Sequence, residues 1–458
     1  MRTPLPLLGG LLMSATLAAT AQQPAVTFDR YSLDNGLTVI LQEDHSAPVA
    51  AVLVMYHVGS KNEKPGRTGF AHLFEHVMFK GSEHVADGEH FRLLQEIGAN
   101  INGSTTEDRT NYFEVVPSNE VELALYLESD RMGYLLPAVN QAKLDNQRDV
   151  VKNERRQNYD NQPYGTAYEK ITGALYPPEH PYSWPVIGSM DDLSAASLDD
   201  VKGFFRTYYA PNNAVVVVAG DINPGQTREW VEKYFGGIPR GKAIERPNPP
   251  LPVLPADVRL VAEDEVQLPR LFLTWHEAPR GTREDAVADV LASILSSGKS
   301  SRLYRALVLD QQIAQNVDAS ADGSEIAGTM SIEITAKPQR TLAEMEKGVN
   351  AVLDEVLSHG VTEKEVQAAL NGEEAQLVAR LSTVLGRANG LATFQLLEGD
   401  ASKYSKEFDR FAGITPGEVH ALAKKIFGSH KVVLSIVPRG KRELSADPAV
   451  PQKKETPQ

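Results

Sequence analysis

Apolar and polar positions along the chain divide it into short elements. Thr27 to Gln42 reads as two short strands around Leu33-Asp34-Asn35-Gly36, because Asn-Gly is a strong hairpin-turn signal. Ala47 to Val58 is rich in Ala and Val and reads as a buried strand. Gly66 to Lys80 reads as a helix, and Phe91 to Ile97 continues helical. Ile101 to Val116 alternates Thr, Tyr and Val and reads as one or two strands. Ser118 to Tyr134 and Asn140 to Tyr159 are helical by periodicity. Ala214 to Gly220 (AVVVVAG) is a strand, followed by a helix to Phe235.

Pro239 to Pro255 then holds six prolines and no periodicity, which reads as an inter-domain linker stiffened by extended proline geometry. Beyond it the order of elements repeats. Leu268 to Thr274 is a strand like Ala47 to Val54, and Arg283 to Leu295 a helix like Gly66 to Lys80. From Pro48 to Val215 is 167 positions, and from Pro269 to Val432 is 163, so the two halves keep pace along their whole length. The expected fold is α+β, two homologous domains, each a mixed or antiparallel sheet with helices packed on one face. The expected boundaries are residues 22–238 and 256–438, with 239–255 as linker and a flexible Lys-, Pro- and Glu-rich tail over 439–458.

The amino terminus stands apart. Arg2, the apolar run Leu5 to Leu12 and Ala19-Thr20-Ala21 have the form of a signal peptide over residues 1–21. That run is too short to span a membrane, and no other stretch is long enough. The expectation is an exported protein, periplasmic or secreted, without a membrane span. The formal net charge of −14 argues against a nucleic-acid partner. The absence of Cys removes disulfides, thiol nucleophiles and Cys-based metal sites together. Any metal site must therefore use His and carboxylates.

His72-Leu73-Phe74-Glu75-His76 is the segment that carries chemistry. Two His four apart on a helix stand one above the other and can hold one zinc ion. Glu75 lies beside them without being a ligand, the arrangement H-x-x-E-H. Three titratable groups interrupt a run of Phe, Leu, Val and Met, and burying them without a metal would be costly. A catalytic zinc needs a third protein ligand. Glu154 shares the face of Val150 and Val151 on its helix and is a candidate; Asp149 and Glu128 are weaker candidates by face.

With these residues the sequence resembles the pitrilysin/insulinase family of zinc metallopeptidases, the inverzincins, over roughly Phe28 to Pro438. The resemblance implies that Glu154, which lies 78 positions after His76 in Val150-Val151-Lys152-Asn153-Glu154, completes a zinc site with His72 and His76, one ion per chain. It implies that Glu75 is the catalytic acid–base, and that Asn102-Gly103-Ser104-Thr105 is an edge strand that adds the peptide substrate as a further strand. It also implies a clamshell built from two such chains, of which this one is half. Family members use an Arg and a nearby Tyr from the second-half type of domain to stabilise the oxyanion. Here the matching positions hold Val308 and Gln315. The resemblance therefore implies a zinc-bearing subunit paired with a homologous Arg/Tyr-supplying subunit, or with a second copy of itself. Gln147 stands where many relatives have Glu. The alternative is a non-catalytic structural or interaction subunit, against which the intact motif argues.

Other signals carry less. Ser297-Gly298-Lys299-Ser300 lacks the first Gly of a phosphate loop. His57, His84 and His90 have no ligand spacing and read as surface or core residues. Tyr182 and Trp184, in the Pro-rich stretch Pro177 to Pro185, read as an ordered loop that could line a cavity.

Overall fold

The computed structural model describes residues 26–451. The signal peptide expected at residues 1–21 lies outside them. The first sheet holds β1 (Asp29–Ser32), β2 (Thr38–Glu43), β3 (Val49–Tyr56), β4 (Asn100–Thr105), β5 (Thr110–Pro117) and β6 (Ala214–Gly220), in the order β1-β2-β6-β3-β5-β4. The second holds β7 (Val258–Asp264), β8 (Arg270–Glu277), β9 (Ala314–Asp322), β10 (Gly328–Ala336) and β11 (Val432–Pro438), in the order β7-β11-β8-β10-β9. The second order repeats the first with β1 removed. In each sheet one pair is parallel, β2 with β6 and β7 with β11, and the other pairs are antiparallel. The repeat expected from the sequence is thus a repeat of topology.

Helices of the first half, among them Val121–Ala138 and Gln141–Arg155, close one face of the first sheet over Val52, Val54, Val216 and Val218. The opposite face is not left bare. Helix Val384–Glu398 of the second half lies on it, with Ala388, Leu391 and Ala392 packed against Leu53, Met55 and Val217. Reciprocally, helix Ala167–Leu175 of the first half covers the second sheet, with Ile171 and Leu175 against Phe272, Leu434 and Ile436. Each half lends a helix to the other. Two-sided cover explains why β3 and β6 read as unbroken apolar runs instead of alternating ones.

A polar latch joins the halves near β4 and β5. Lys61 Nζ donates to Asp108 Oδ1 at 2.9 Å and to Glu325 Oε2 at 2.5 Å. Glu325 N donates to Asp108 Oδ2 at 2.8 Å, and Tyr182 OH to Asp108 Oδ1 at 2.6 Å. Trp184 Nε1 donates to Ser60 O at 3.0 Å. Tyr182 OH also accepts from Ile326 N of the second half at 3.0 Å, so Tyr182 fastens the interface, while Trp184 ties its loop to Ser60 within the first half. Buried charge of this kind is sustained only by full pairing, which the latch supplies to Lys61.

Residues 239–257 hold no regular element, yet Arg246 Nη2 donates to Asn213 Oδ1 at 2.7 Å and ties this stretch to the first half. The expectation of a flexible tail fails for its first part. Residues 439–451 pack on the second sheet, where Ser445 is buried and Ala446 N donates to Ser435 Oγ at 3.1 Å.

Candidate metal centre

The motif helix spans Phe70–Val77, shorter than the stretch Gly66 to Lys80 read from the sequence. Gly66 and Gly69 take φ of 80° and 87°, left-handed values that begin the helix late. Its free amides are met by a side chain from upstream: Gly69 N and Ala71 N donate to the two carboxylate oxygens of Glu63, at 2.9 Å and 2.8 Å. That carboxyl is buried, and burial pushes it up to about 8 against the pull of those amides. Thr68 is tied to Asp192 through both N and Oγ1. The apolar face anchors on aromatic rings, Phe74 against Phe204, Phe205 and Tyr209. With that face buried, His72, Glu75 and His76 turn to the other side.

The third group comes from helix Gln141–Arg155, whose last turn carries Glu154 before a wider π-type turn over Arg156–Asp160. Arg155, beside it, is buried and donates to Gly188 O and to Glu169 Oε2, both at 2.8 Å, which pins the helix end. His76 Nε2 lies 3.1 Å from Glu154 Oε2, and His72 Nε2 lies 3.7 Å from Glu154 Oε1. The two Nε2 atoms are 3.4 Å apart. Of the candidates weighed from spacing, Glu154 alone joins the His pair. Glu128 is buried elsewhere, against Arg131 and Glu114.

The donor set suits a zinc ion. Burial, then the neighbouring His76, push His72 down to about 4, so its ring is neutral and keeps a lone pair. The hydrogen bond with His76 leads the causes that hold the Glu154 carboxyl below its usual range. Two imidazoles and one carboxylate, with donor atoms all within 4.8 Å of one another, match the three-ligand pattern of catalytic zinc sites. No fourth protein ligand joins this group among the described residues.

Glu75 points to the edge strand. Thr105 Oγ1 donates to Glu75 Oε2 at 2.7 Å, and burial pushes the Glu75 carboxyl up. A Cβ on Gly103 would stand 3.2 Å from Glu75 Cγ and 3.2 Å from Tyr112 Cδ1, so the glycine makes room for the acid. Asn102 Oδ1 accepts from Gly103 N at 2.9 Å, and Ser104 turns to the other face, donating to Asn111 Oδ1 at 2.7 Å. Gln147 is buried and donates to the adjacent Asn146. Val308 packs against the core of the second half and Gln315 is exposed on β9. Upstream of those positions, Arg302 is bound by both oxygens of Glu365, and Arg305 Nε lies 3.6 Å from Asp310 Oδ2.

Sequence reasoning missed the role of Thr105 as a partner of Glu75, and the second group of metal-binding residue types, His90, Glu114 and Glu128, all buried. Arg131 lies among these three, its Nη2 donating to Glu114 and Glu128. Neither was visible in spacing, because each joins residues from separate elements.

Residues 38–178 match the family model for insulinase (peptidase family M16), and residues 195–373 match that for the M16 inactive domain. The chain is 29% identical over 422 residues to the zinc protease PqqE of Helicobacter pylori, covering 91% of this chain and 94% of that one. It is 23% identical over 412 residues to the uncharacterized zinc protease YmxG of Bacillus subtilis, covering 90% and 98%. Among solved structures, a protease from Helicobacter pylori aligns with a TM-score of 0.85 at 27% identity, covering 90% of this chain and all of that one. The first half of the periplasmic protease PqqL from Escherichia coli shares the fold, with a TM-score of 0.74 at 17% identity. With one family model on each half and the same repeated sheet order, the chain is a two-domain member of the M16 (insulinase) peptidase family.

Proposed function

We propose that the chain is a zinc-dependent metalloendopeptidase that hydrolyses short or unfolded peptides. The observation that carries this reading is the convergence of His72 Nε2, His76 Nε2 and the Glu154 carboxylate, with Glu75 beside them. These three side chains would hold one zinc ion per chain. A zinc ion there supplies Lewis acidity, polarising a carbonyl and making water acidic enough to ionise near neutral pH. Glu75 takes the proton of the attacking water and delivers it to the leaving amine. The Thr105 hydroxyl orients that carboxyl. Edge strand β4, through Asn102, Gly103, Ser104 and Thr105, aligns the peptide by main-chain hydrogen bonds.

The second half holds Val308 and Gln315 where relatives carry the Arg and Tyr that bind the oxyanion. The reading therefore includes a homologous partner subunit, or a second copy, that supplies an Arg/Tyr pair. Export to the periplasm fits the leader-like amino terminus and the periplasmic protein among the fold neighbours.

Elemental analysis and peptide turnover test the reading together. Glu75→Gln should retain zinc and lose at least about a hundredfold in turnover, the usual contribution of a general acid–base. His76→Ala should lose the metal. Wild-type turnover by Glu75→Gln would remove the mechanism. Full activity of the purified chain with no added subunit, in a monomeric state, would remove the partner.

A further inference from the structure

A zinc site tolerates errors of only about 0.2 Å in ligand bonds of about 2.0–2.2 Å, so the elements that bring His72, His76 and Glu154 together must be fixed to one another. His72 and His76 ride on helix Phe70–Val77, and Glu154 on the last turn of helix Gln141–Arg155. Residues 188–196 tie the two. On the side of the motif helix, Thr68 N and Oγ1 both donate to Asp192 Oδ2, at 3.0 Å and 2.6 Å, and Ser189 N donates to Thr68 Oγ1 at 3.1 Å. Gly188, at φ of 72°, lies so close to Gly69 that a Cβ on it would stand 2.4 Å from Gly69 Cα. On the side of Glu154, two guanidiniums seven positions apart reach the same segment. Arg148 Nη1 donates to Ser194 O at 3.2 Å and to Ala196 O at 2.9 Å. Arg155 Nη1 donates to Gly188 O at 2.8 Å.

Arg155 differs from Arg148 in two respects. It follows Glu154 directly, so any shift of its backbone carries the carboxylate with it. It is also buried, and its Nη2 donates to Glu169 Oε2 at 2.8 Å, on the helix Ala167–Leu175 that covers the second sheet. One side chain thus joins three parts of the molecule: the end of the Glu154 helix, the start of the motif helix by way of Gly188, and the helix lent to the second half. It does so where the regular helix gives way to the wider turn Arg156–Asp160, the point at which the backbone ladder stops fixing Glu154. A lysine could not replace it. A single ammonium on a flexible stem lacks the rigid fork that reaches Gly188 O and Glu169 Oε2 together.

We propose that Arg155 is a positioning residue for the metal centre, holding Glu154 against the His pair by its grip on Gly188 O and Glu169. The assignment rests on the zinc reading above, and the test separates the two. Zinc is titrated into chelator-stripped full-length protein against a competing fluorescent chelator, and thermal melts follow the folding of each variant. Arg155→Lys should bind zinc about ten- to hundredfold more weakly than the wild type, the usual cost of disturbing a group that orients a metal ligand. Arg155→Met combined with Glu169→Gln removes a buried charge together with its partner, so it should melt near the wild type and still show the weaker zinc affinity. Glu365→Gln, which loses the ion pair with Arg302 in the second half, should melt lower and yet keep the wild-type zinc affinity. Wild-type affinity in either folded Arg155 variant, an equal loss in Glu365→Gln, or loss of the fold in both Arg155 variants would overturn the positioning role alone. Folded wild-type protein that takes up no zinc would remove the metal reading and the positioning role with it.

Discussion

Gly103 faces Glu75 closely enough that any side chain must push on the acid or on Tyr112. A single methyl needs only a few tenths of an ångström of give, so Gly103→Ala should be tolerated. Gly103→Val adds bulk that cannot be absorbed, and turnover should fall by about tenfold or more while zinc content is kept. Elsewhere in the first half, Glu114 and Glu128 are wholly buried around one guanidinium, Arg131. Two carboxyls and one cation leave a proton to be held, and burial pushes Glu128 up to about 8. The unfolded chain loses that proton near pH 4.5, so the native state binds more protons between the two values. Stability from this group is therefore full below about pH 4.5 and declines as pH rises toward 8. Glu128→Gln should gain on the wild type as thermal melts move from pH 5 to pH 8; a gap that stays constant would show that Glu128 does not hold the proton. At this scale the sequence was most legible where chemistry is local. His72, Glu75 and His76 sit on two turns of one helix, and their spacing is their geometry. The Glu114–Glu128–Arg131 group was not legible, because a strand residue and two helix residues of consecutive elements meet only when that helix folds back on β5.

Elements were readable in type and less so at their ends. The motif helix begins four residues later than its apolar pattern, since periodicity cannot see the left-handed Gly66 and Gly69. The Glu154 helix ends earlier than its pattern and relaxes into a wider turn. Helix Glu363–Leu381 shows how an end is fixed in the second half. Thr362 caps its first turn together with Glu365, whose carboxylate also binds Arg302. The hydrogen bonds from Arg302 lead the causes that hold Glu365 down at about 2, against an ordinary value of 4.5. A lowered carboxylate stabilises the fold above its unfolded value and loses that contribution as pH falls toward its folded one. Glu365→Gln should melt below the wild type at neutral pH, and the two should converge between about pH 4.5 and pH 2. Parallel melting curves across that window would exclude the pairing as a source of stability.

At the scale of the molecule, the repeat was legible and the exchange of helices was not. Spacing between matching strands survives duplication, so 167 and 163 positions betray two halves. Nothing in periodicity tells a buried helix which of two similar sheets it will cover. Because Leu53, Met55 and Val217 are sealed by the second half, and Phe272, Leu434 and Ile436 by the first, a half made alone would show water a wide apolar sheet face. Residues 26–238 or 256–451 expressed singly should aggregate, and co-expression of the two should recover a soluble one-to-one complex. Solubility and cooperative melting of either half alone would refute this dependence. The same exchange recasts residues 239–257. They serve as a tether that raises the local concentration of one half around the other, and the grip itself comes from the traded helices. A protease that nicks the tether should therefore leave a particle that still elutes at full size, and a chain permuted to begin at residue 256, with its old ends joined by a long enough spacer, should reach the same architecture.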